Sequence, residues 1–578
     1  MRKLTKKGIF IDFNSQYCTS KEEILNSKIF VSLLERYVKR LEKKNIHYFK
    51  ELVSYFDSVD DFIKEVVTTC KLCLLFPFKD TISIFKNDKE TFLEFIEGFY
   101  NYYRKFERYS YILVNNDSFA ITQDFLNKEQ NFNSLVLETY RKITENINEE
   151  HYLVYRQLNA GINAGFILEK STINFNDEYS KLNNINTINS IVLHPPFIIY
   201  PKNTKREGIF KEKDINPINY LENTKDYFCY PIYVGRYIAY VYFNNEYASL
   251  GVSLANLFTP VKRSDLGKKP DIIFFYGVDN KEVNEPYYYY DKKENYYVGI
   301  APHNDEMTYF GYMKKMLLTM HNVKCIRNDE LPLHGAMVSL TLVNEKKTNI
   351  IIIGDSGAGK SETLEALKNI LDDDISEMLT VFDDMGAIDK NLIAYGTETG
   401  AFVRMDDLDI GYAYQEIDRA IMMNPDKKNA RTIIPISSLK DVVKGHNVDI
   451  VLYANNYEDK EGIKIFDDYL EAMNIFKEGK RKAKKTTSEE GIVTSYFANP
   501  FGPVQEKEKV DILLEQYFKK LFDRNIVVGE IYTRLGIDGL EKEGPLKAAK
   551  ELIKFIKWFT NSQKYYSFFS YFINNYII

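Results

Sequence analysis

Apolar residues recur at helical spacing through the first part of the chain. Phe30, Leu33, Leu34, Tyr37, Val38 and Leu41 fall on one face, and Phe92, Phe95, Ile96 and Phe99 on another. This pattern predicts amphipathic helices over 21–160, and the aromatic stripes read as core. Residues 161–230 are richer in Asn, Gly and Pro, and His194-Pro195-Pro196 and Pro201 mark loops. Beyond 225, short apolar runs alternate with turn signals, as at 230–233, 238–243 and 271–275, the last a predicted buried strand. Residues 306–321 return to helical spacing. Met313, Met316, Leu317 and Met320 form a stripe with Lys314 and Lys315 beside it, read by itself as a solvated lysine pair.

A tighter pattern follows. Residues 336–343 predict a strand, 345–347 a turn, and 350–353 an unbroken isoleucine strand. Next comes Gly354-Asp355-Ser356-Gly357-Ala358-Gly359-Lys360-Ser361, which fits G-x-x-x-x-G-K-[ST]. A helix is predicted over 362–371. A second apolar run over 378–382 ends in Asp383-Asp384. Strand, glycine loop, helix, then a strand tipped with carboxylates is the setting of a phosphate-binding loop. Its glycines let backbone N–H groups close around phosphate oxygens at a helix N-terminus. Lys360 reaches the β- and γ-phosphates, and Ser361 and a following Asp face the metal ion. A glycine turn before an ordinary helix explains the triplet but not the whole pattern.

Composition narrows the class. A chain of 578 residues exceeds one core, so two or three domains are expected. The net charge of −6 offers no general attraction to nucleic acid. There is no run of about 18 apolar residues to span a membrane. The basic start lacks the apolar stretch of a signal peptide. Five cysteines make no disulfide framework, so a cytoplasmic location is expected. Cys70-Lys71-Leu72-Cys73 has no second pair and reads as buried thiols, with redox or zinc use as the alternative. The run Lys477, Lys480, Arg481, Lys482, Lys484, Lys485 reads as an exposed loop, with a phosphate-facing lid as the alternative.

The order of segments resembles the ATP-dependent phosphoenolpyruvate carboxykinases over 240–540. Tyr309-Phe310-Gly311-Tyr312-Met313-Lys314-Lys315 is similar to that family's Y-G-G-E-M-K-K. Leu331-Pro332-Leu333-His334-Gly335-Ala336 resembles M-H-C-S-A, and the phosphate loop stands where G-L-S-G-T-G-K-T-T does. Phe382-Asp383-Asp384 matches G-D-D. Residues 398–404, from Glu398 to Arg404, match E-G-G-C-Y-A-K, and Asn429-Ala430-Arg431 matches N-T-R.

The resemblance implies an α/β fold: a carboxykinase-like nucleotide-binding core of mixed sheet with flanking helices, plus a mainly α N-terminal domain. Helical periodicity and the Asn-, Gly- and Pro-rich stretch set off a helical accessory domain over 1–225. The resemblance then implies a substrate domain over 226–345 and a nucleotide domain with C-terminal helices over 346–578. It also implies ATP, Mn2+ and Mg2+. The manganese would be held by Lys315, His334 and Asp384, and the magnesium would ride with ATP on Ser361. A lysine ligand must be neutral, which requires a lowered pKa. Lys314, Lys360 and Arg431 would offset charge on the moving phosphoryl group, with Asp383 beside them. The nucleotide would lie against residues 354–362, from Gly354 through Glu362, and against Glu398 and Arg404. The substrate pair would be oxaloacetate and phosphoenolpyruvate, as in gluconeogenesis, with no nucleic acid or membrane partner.

Three departures stand out. The family's R-S-P-K-D segment has no clear counterpart, with Arg156 and Arg236 as the candidates for its arginine. The adenine-contacting G-T-E-R-G-I-T becomes residues 487–493, with Glu490 in the arginine position. Gly-Gly before the lysine pair becomes Phe310-Gly311. The wording of the phosphate loop is also similar to HPr kinase. That leaves two alternatives: a kinase with Asp383 or Asp384 as base for an acceptor hydroxyl, or an inactive nucleotide sensor.

Overall fold

The computed structural model describes all residues except 1–2, 116–118, 150–153, 156, 159, 172, 344–346, 356, 371–374, 406–416, 428, 484–489, 495–504 and 577–578, and describes no side chains for 119, 369 and 561–576. Large sheets with packed helices make it α/β, and the chain forms two compact units.

The first unit comprises residues 1–172 and 182–197. The helices expected there form: Lys28–Lys44, Val59–Leu75, Lys89–Arg104 and Phe119–Asn148. The predicted stripes point inward, with Leu33, Leu34, Tyr37, Val38, Phe92, Phe95 and Phe99 all buried in one core. These helices cover a sheet that the helical reading omitted. Its strands Lys3–Leu4, Gly8–Asp12, Glu107–Leu113, Ala164–Glu169 and Thr187–Leu193 pair in that order. These strands are seven residues long or shorter, too short for their period to be told from that of a helix. Cys70 and Cys73 are buried in Val59–Leu75, and burial pushes the Cys73 thiol up to about 12 and the Cys70 thiol higher still. Such thiols are poor nucleophiles and poor metal ligands.

The second unit comprises residues 173–181 and 198–578. The units therefore part near 172–198 rather than at 225. The expected boundary at 345 falls inside an antiparallel strand pair, Leu331–Leu342 with Lys347–Ile353, so no domain edge lies there.

That pair sits in the middle of an eight-stranded mixed sheet. Ile375–Ile388 and Ile393–Gly396 lie to one side, Ile450–Asn455 and Val527–Tyr532 to the other. Lys347–Ile353 runs parallel to Ile450–Asn455. Its apolar run is unbroken because both faces are covered. Ile351 and Ile353 join a core under helix Lys507–Asp523. Ile350 and Ile352 join another under Lys360–Asn369 and the start of Glu543–Tyr576.

Helix Phe310–Arg327 packs against this sheet and against strands Ile272–Val278 and Tyr296–Pro302. It is buried on nearly all sides, polar residues included. No helix among the described residues is long and apolar enough to cross a membrane.

Candidate functional site

Strand register assembles the site. In the central strand, Gly335 pairs with Ile353 on one side and Asp384 on the other. His334 therefore lies between the start of the phosphate loop and the carboxylate pair. Its carbonyl accepts the Gly354 N–H at 3.2 Å. Only a glycine fits at 335, because a Cβ there would come within 2.6 Å of the Ile352 carbonyl. Helix Phe310–Arg327, packed on strands Leu331–Leu342 and Ile375–Ile388, delivers Lys314 and Lys315 to the same place. A solvated lysine pair is ruled out by burial: the side chains are 2% and 18% exposed.

Three basic groups meet on Asp384. Lys314 Nζ lies 2.6 Å from Oδ2, Lys315 Nζ 3.1 Å from Oδ2, and His334 Nε2 3.0 Å from Oδ1. Burial by itself would raise the Asp384 carboxyl, but the two ammonium groups and the His334 bond outweigh it and hold it well below the usual carboxylate range. Glu398 closes the cluster, 2.8 Å from Lys314 Nζ. Burial pushes Glu398 up to about 7 against the pull of Lys314. Burial would lower Lys314, yet its two carboxylate partners hold it above the ordinary lysine value. Lys315 goes the other way, because burial and the neighbouring Lys314 charge outweigh Asp384 and lower it. One lysine is thus the cluster's fixed cation, and the other is the one more readily made neutral. Asp384 has φ 153°, a conformation that L residues rarely adopt and that is held only where surroundings impose it.

The phosphate loop has the expected form. Gly357 and Gly359 take φ 82° and 94°. Lys360 opens helix Lys360–Asn369 and is 6% exposed. The loop's carbonyls are tied down from behind, Gly357 O by Asn456 Nδ2 at 2.8 Å and Ala358 O by Thr533 Oγ1 at 2.7 Å. Ser361 Oγ donates to Asp383 Oδ1 at 2.8 Å, the serine–aspartate pair that holds the metal of a bound nucleotide in phosphate-loop proteins. Burial raises Asp383. Ser356 lies outside the described residues.

A cavity of ≈ 430 Å³ joins the two parts, with Lys315, His334, Lys360, Ser361, Asp383 and Asp384 in its wall. Glu362, Arg404 and Arg431 also line it, as do Gly357 and Asp355. Arg404 and Arg431 stand directly opposite each other on strands Gly400–Arg404 and Arg431–Pro435. Like charges in that position repel, so the pair suits an anion between them. The Arg431 guanidinium and the Lys314 ammonium both lie over the Phe402 ring, at 5.4 and 5.8 Å from its centre. Glu398 serves the lysine cluster. Asp355 is turned toward Arg481, whose Nε lies 2.9 Å from Oδ2.

Among the described residues no three His, Cys, Asp or Glu side chains gather as a metal site, so any set here needs the amine. The donors present do suit a transition metal: an imidazole, a carboxylate and an amine whose neutral form burial favours.

Several cavity residues carry no mark in the sequence, Lys205, Arg206 and Lys368 among them. Arg206 lines the wall with Lys205 and stacks on Phe210 at 5.9 Å. Nothing in its spacing marks it, since it sits in a loop placed by long-range bonds such as Asn424 Nδ2 to Pro201 O, 3.0 Å. The candidates considered instead do not serve. Arg236 is paired with Glu330 at 2.6 Å and lies over Tyr395, outside the cavity wall. Arg156 lies outside the described residues. So do 487–489, while Glu490 is exposed. The basic run is also no simple exposed loop. Lys480–Lys482 pairs with Ile492–Thr494, and Arg481 is 7% exposed.

No family model matches the chain, and no curated protein matches it closely enough to count as a relative.

Proposed function

We propose that the protein is a phosphoryl-transfer enzyme of the ATP-dependent phosphoenolpyruvate carboxykinase kind, built on a carboxykinase-like nucleotide core. It decarboxylates oxaloacetate and moves the γ-phosphate of ATP to the resulting enolate. The observation that carries this reading is the meeting of Lys315 and His334 on Asp384, in one cavity with Lys360 and the Ser361–Asp383 pair. The kinase alternative would use a carboxylate as base but leaves the buried Lys315 amine beside the His334 imidazole without a part.

Each group has a part. The loop N–H groups and Lys360 hold the β- and γ-phosphates. Ser361 and Asp383 would hold the Mg2+ that accompanies ATP. Lys315, His334 and Asp384 would hold Mn2+, which when bound supplies Lewis-acid polarisation of the substrate oxygen. Arg206 and Lys205 face the cavity as cations for the substrate's carboxylates. The carbon–carbon bond to the departing carboxylate breaks, carbon dioxide leaves, and the electron pair stays as enolate. The enolate oxygen then attacks the γ-phosphorus in line, and ADP leaves. Arg404, Arg431 and Lys314 offset the charge on the phosphoryl group in flight.

The test mixes purified protein with ATP, Mn2+ and oxaloacetate and follows phosphoenolpyruvate and carbon dioxide. Lys315→Met and His334→Gln are each expected to lower turnover by about 10²–10³-fold, the usual cost of removing one preorganised electrostatic group. ATP hydrolysis or transfer without phosphoenolpyruvate in the wild type would replace this reading with a kinase for another acceptor. Nucleotide binding without any turnover would make the protein a sensor.

A further inference from the structure

The phosphate loop carries a residue that its task does not explain. Asp355 puts a carboxylate on a loop that binds triphosphate, where negative charge is unfavourable. Its side chain lies at the cavity wall with both oxygens engaged by neighbouring side chains. Oδ2 takes the Arg481 Nε at 2.9 Å, and Oδ1 faces His334 Nδ1 at 3.6 Å. The register explains this closeness, because His334 lies opposite Gly354 and Asp355 is the next residue.

On the other side, His334 is 4% exposed, and its Nδ1 is buried with no hydrogen-bond partner. An unmet buried nitrogen is costly. A separation of 3.6 Å is within a side-chain rotation of contact, and hydrogen bonds in such sites are commonly long until the ligand arrives. Arg481 is held in turn. Its hairpin is bolted to the loop by Asn456, whose Nδ2 donates to Gly357 O at 2.8 Å and to Lys482 O at 2.9 Å. Lys482 N donates back to Asn456 Oδ1 at 2.8 Å.

We propose that Asp355 is a positioning residue for His334: when a divalent cation takes the place of the present Nε2–H contact with Asp384, Asp355 accepts the Nδ1 proton, so that Nε2 turns its lone pair to the cation. Arg481 balances the Asp355 charge and keeps that carboxylate away from the phosphates. The phosphate loop and the cation site are then tied through one side chain, and the basic hairpin acts as its brace. This rests on the cation site of the proposed function.

The test is binding of Mn2+ alone, without nucleotide, to the full chain, read by electron paramagnetic resonance. Binding of a fluorescent ATP analogue is measured in parallel. Asp355→Asn is expected to weaken Mn2+ binding about 10–100-fold, the usual effect of losing a group that orients a ligating histidine. Nucleotide affinity should fall far less, and Asp355→Glu should recover Mn2+ binding. Equal Mn2+ affinity in Asp355→Asn and wild type overturns the role of Asp355 while leaving the cation site standing. A parallel, equal loss of nucleotide also overturns it, since that marks a loop-building role. A wild-type chain that takes up no Mn2+ removes the cation site and this role with it. Should Asp355→Asn fail to fold, Arg481→Gln carries the test. The freed carboxylate should hold His334 at least as well, and a tenfold or greater loss of Mn2+ affinity overturns the proposal.

Discussion

At the scale of single residues, burial changes what a side chain is. Lys314 and Lys315 are neighbours in sequence with opposite fates: one is held charged by two carboxylates, the other is pushed toward neutrality. Sequence places both on a helix beside an apolar stripe, where a solvated pair is the plain reading. Only packing on all sides of Phe310–Arg327 removes the water. Lys368, two turns beyond the phosphate loop and also in the cavity wall, shows the same effect with a measurable consequence. Burial lowers it to about 8, against the raising pull of Asp383 and Glu365. Between 8 and the ordinary 10.5, the folded chain then binds fewer protons here than the unfolded chain. Stability from this group therefore rises as pH rises through that window. Lys368→Met is expected to remove that rise. The check is the difference in melting temperature between variant and wild type on both sides of the window, and a difference that does not change with pH would contradict it.

At the scale of elements, the phosphate loop and its flanking strands are legible because local requirements fix them. An isoleucine strand and a glycine-rich turn before a helix are each visible without knowing the partner strands, whereas the carboxylate pair, expected at a strand end, lies within strand Ile375–Ile388. Gly359 shows how local and tertiary demands coincide. It has φ 94°, and a Cβ would come within 2.5 Å of Thr533 Oγ1, the hydroxyl that fastens the loop. Gly359→Ala should cost at least about 1–2 kcal/mol from backbone conformation alone. It should also weaken ATP binding at least tenfold, and nucleotide titration with chemical denaturation reads both. Unchanged binding would mean that the loop does not grip the phosphates through this turn. Less was legible in the first unit. Strands Glu107–Leu113 and Ala164–Glu169 are too short for their period to show beside long helices, so a sheet covered by helices reads as helices alone.

At the scale of the molecule, every described side chain of the candidate site belongs to the second unit. Each unit has its own buried core. A ligand that binds only one folded unit stabilises that unit by mass action, about 2.7 kcal/mol at a hundred times its dissociation constant. Calorimetry with saturating ATP and Mg2+ should therefore raise one unfolding transition and leave another in place. A single transition that moves as a whole would show that the two units unfold together. The division itself was poorly legible. The Asn-, Gly- and Pro-rich stretch suggested a boundary at 225, but the chain crosses between units at 172–198 and returns residues 173–181 to the second. Linker composition reports where backbone is irregular, not which core it serves.

The acidic pair, expected at a strand end, lies inside strand Ile375–Ile388. By itself the sequence determined the glycine-rich loop, the strand–loop–helix that carries it and the inward faces of the long helices. These depend on backbone conformation and on the period of apolar residues, both of which are written locally. Tertiary structure alone decided that Arg206 joins the cavity wall and that Arg481 reaches Asp355, while the meeting of Lys315, His334 and Asp384 was implied only by a family resemblance and by no local pattern. Those outcomes depend on strand register and on burial between segments up to hundreds of residues apart, and no local pattern carries that information.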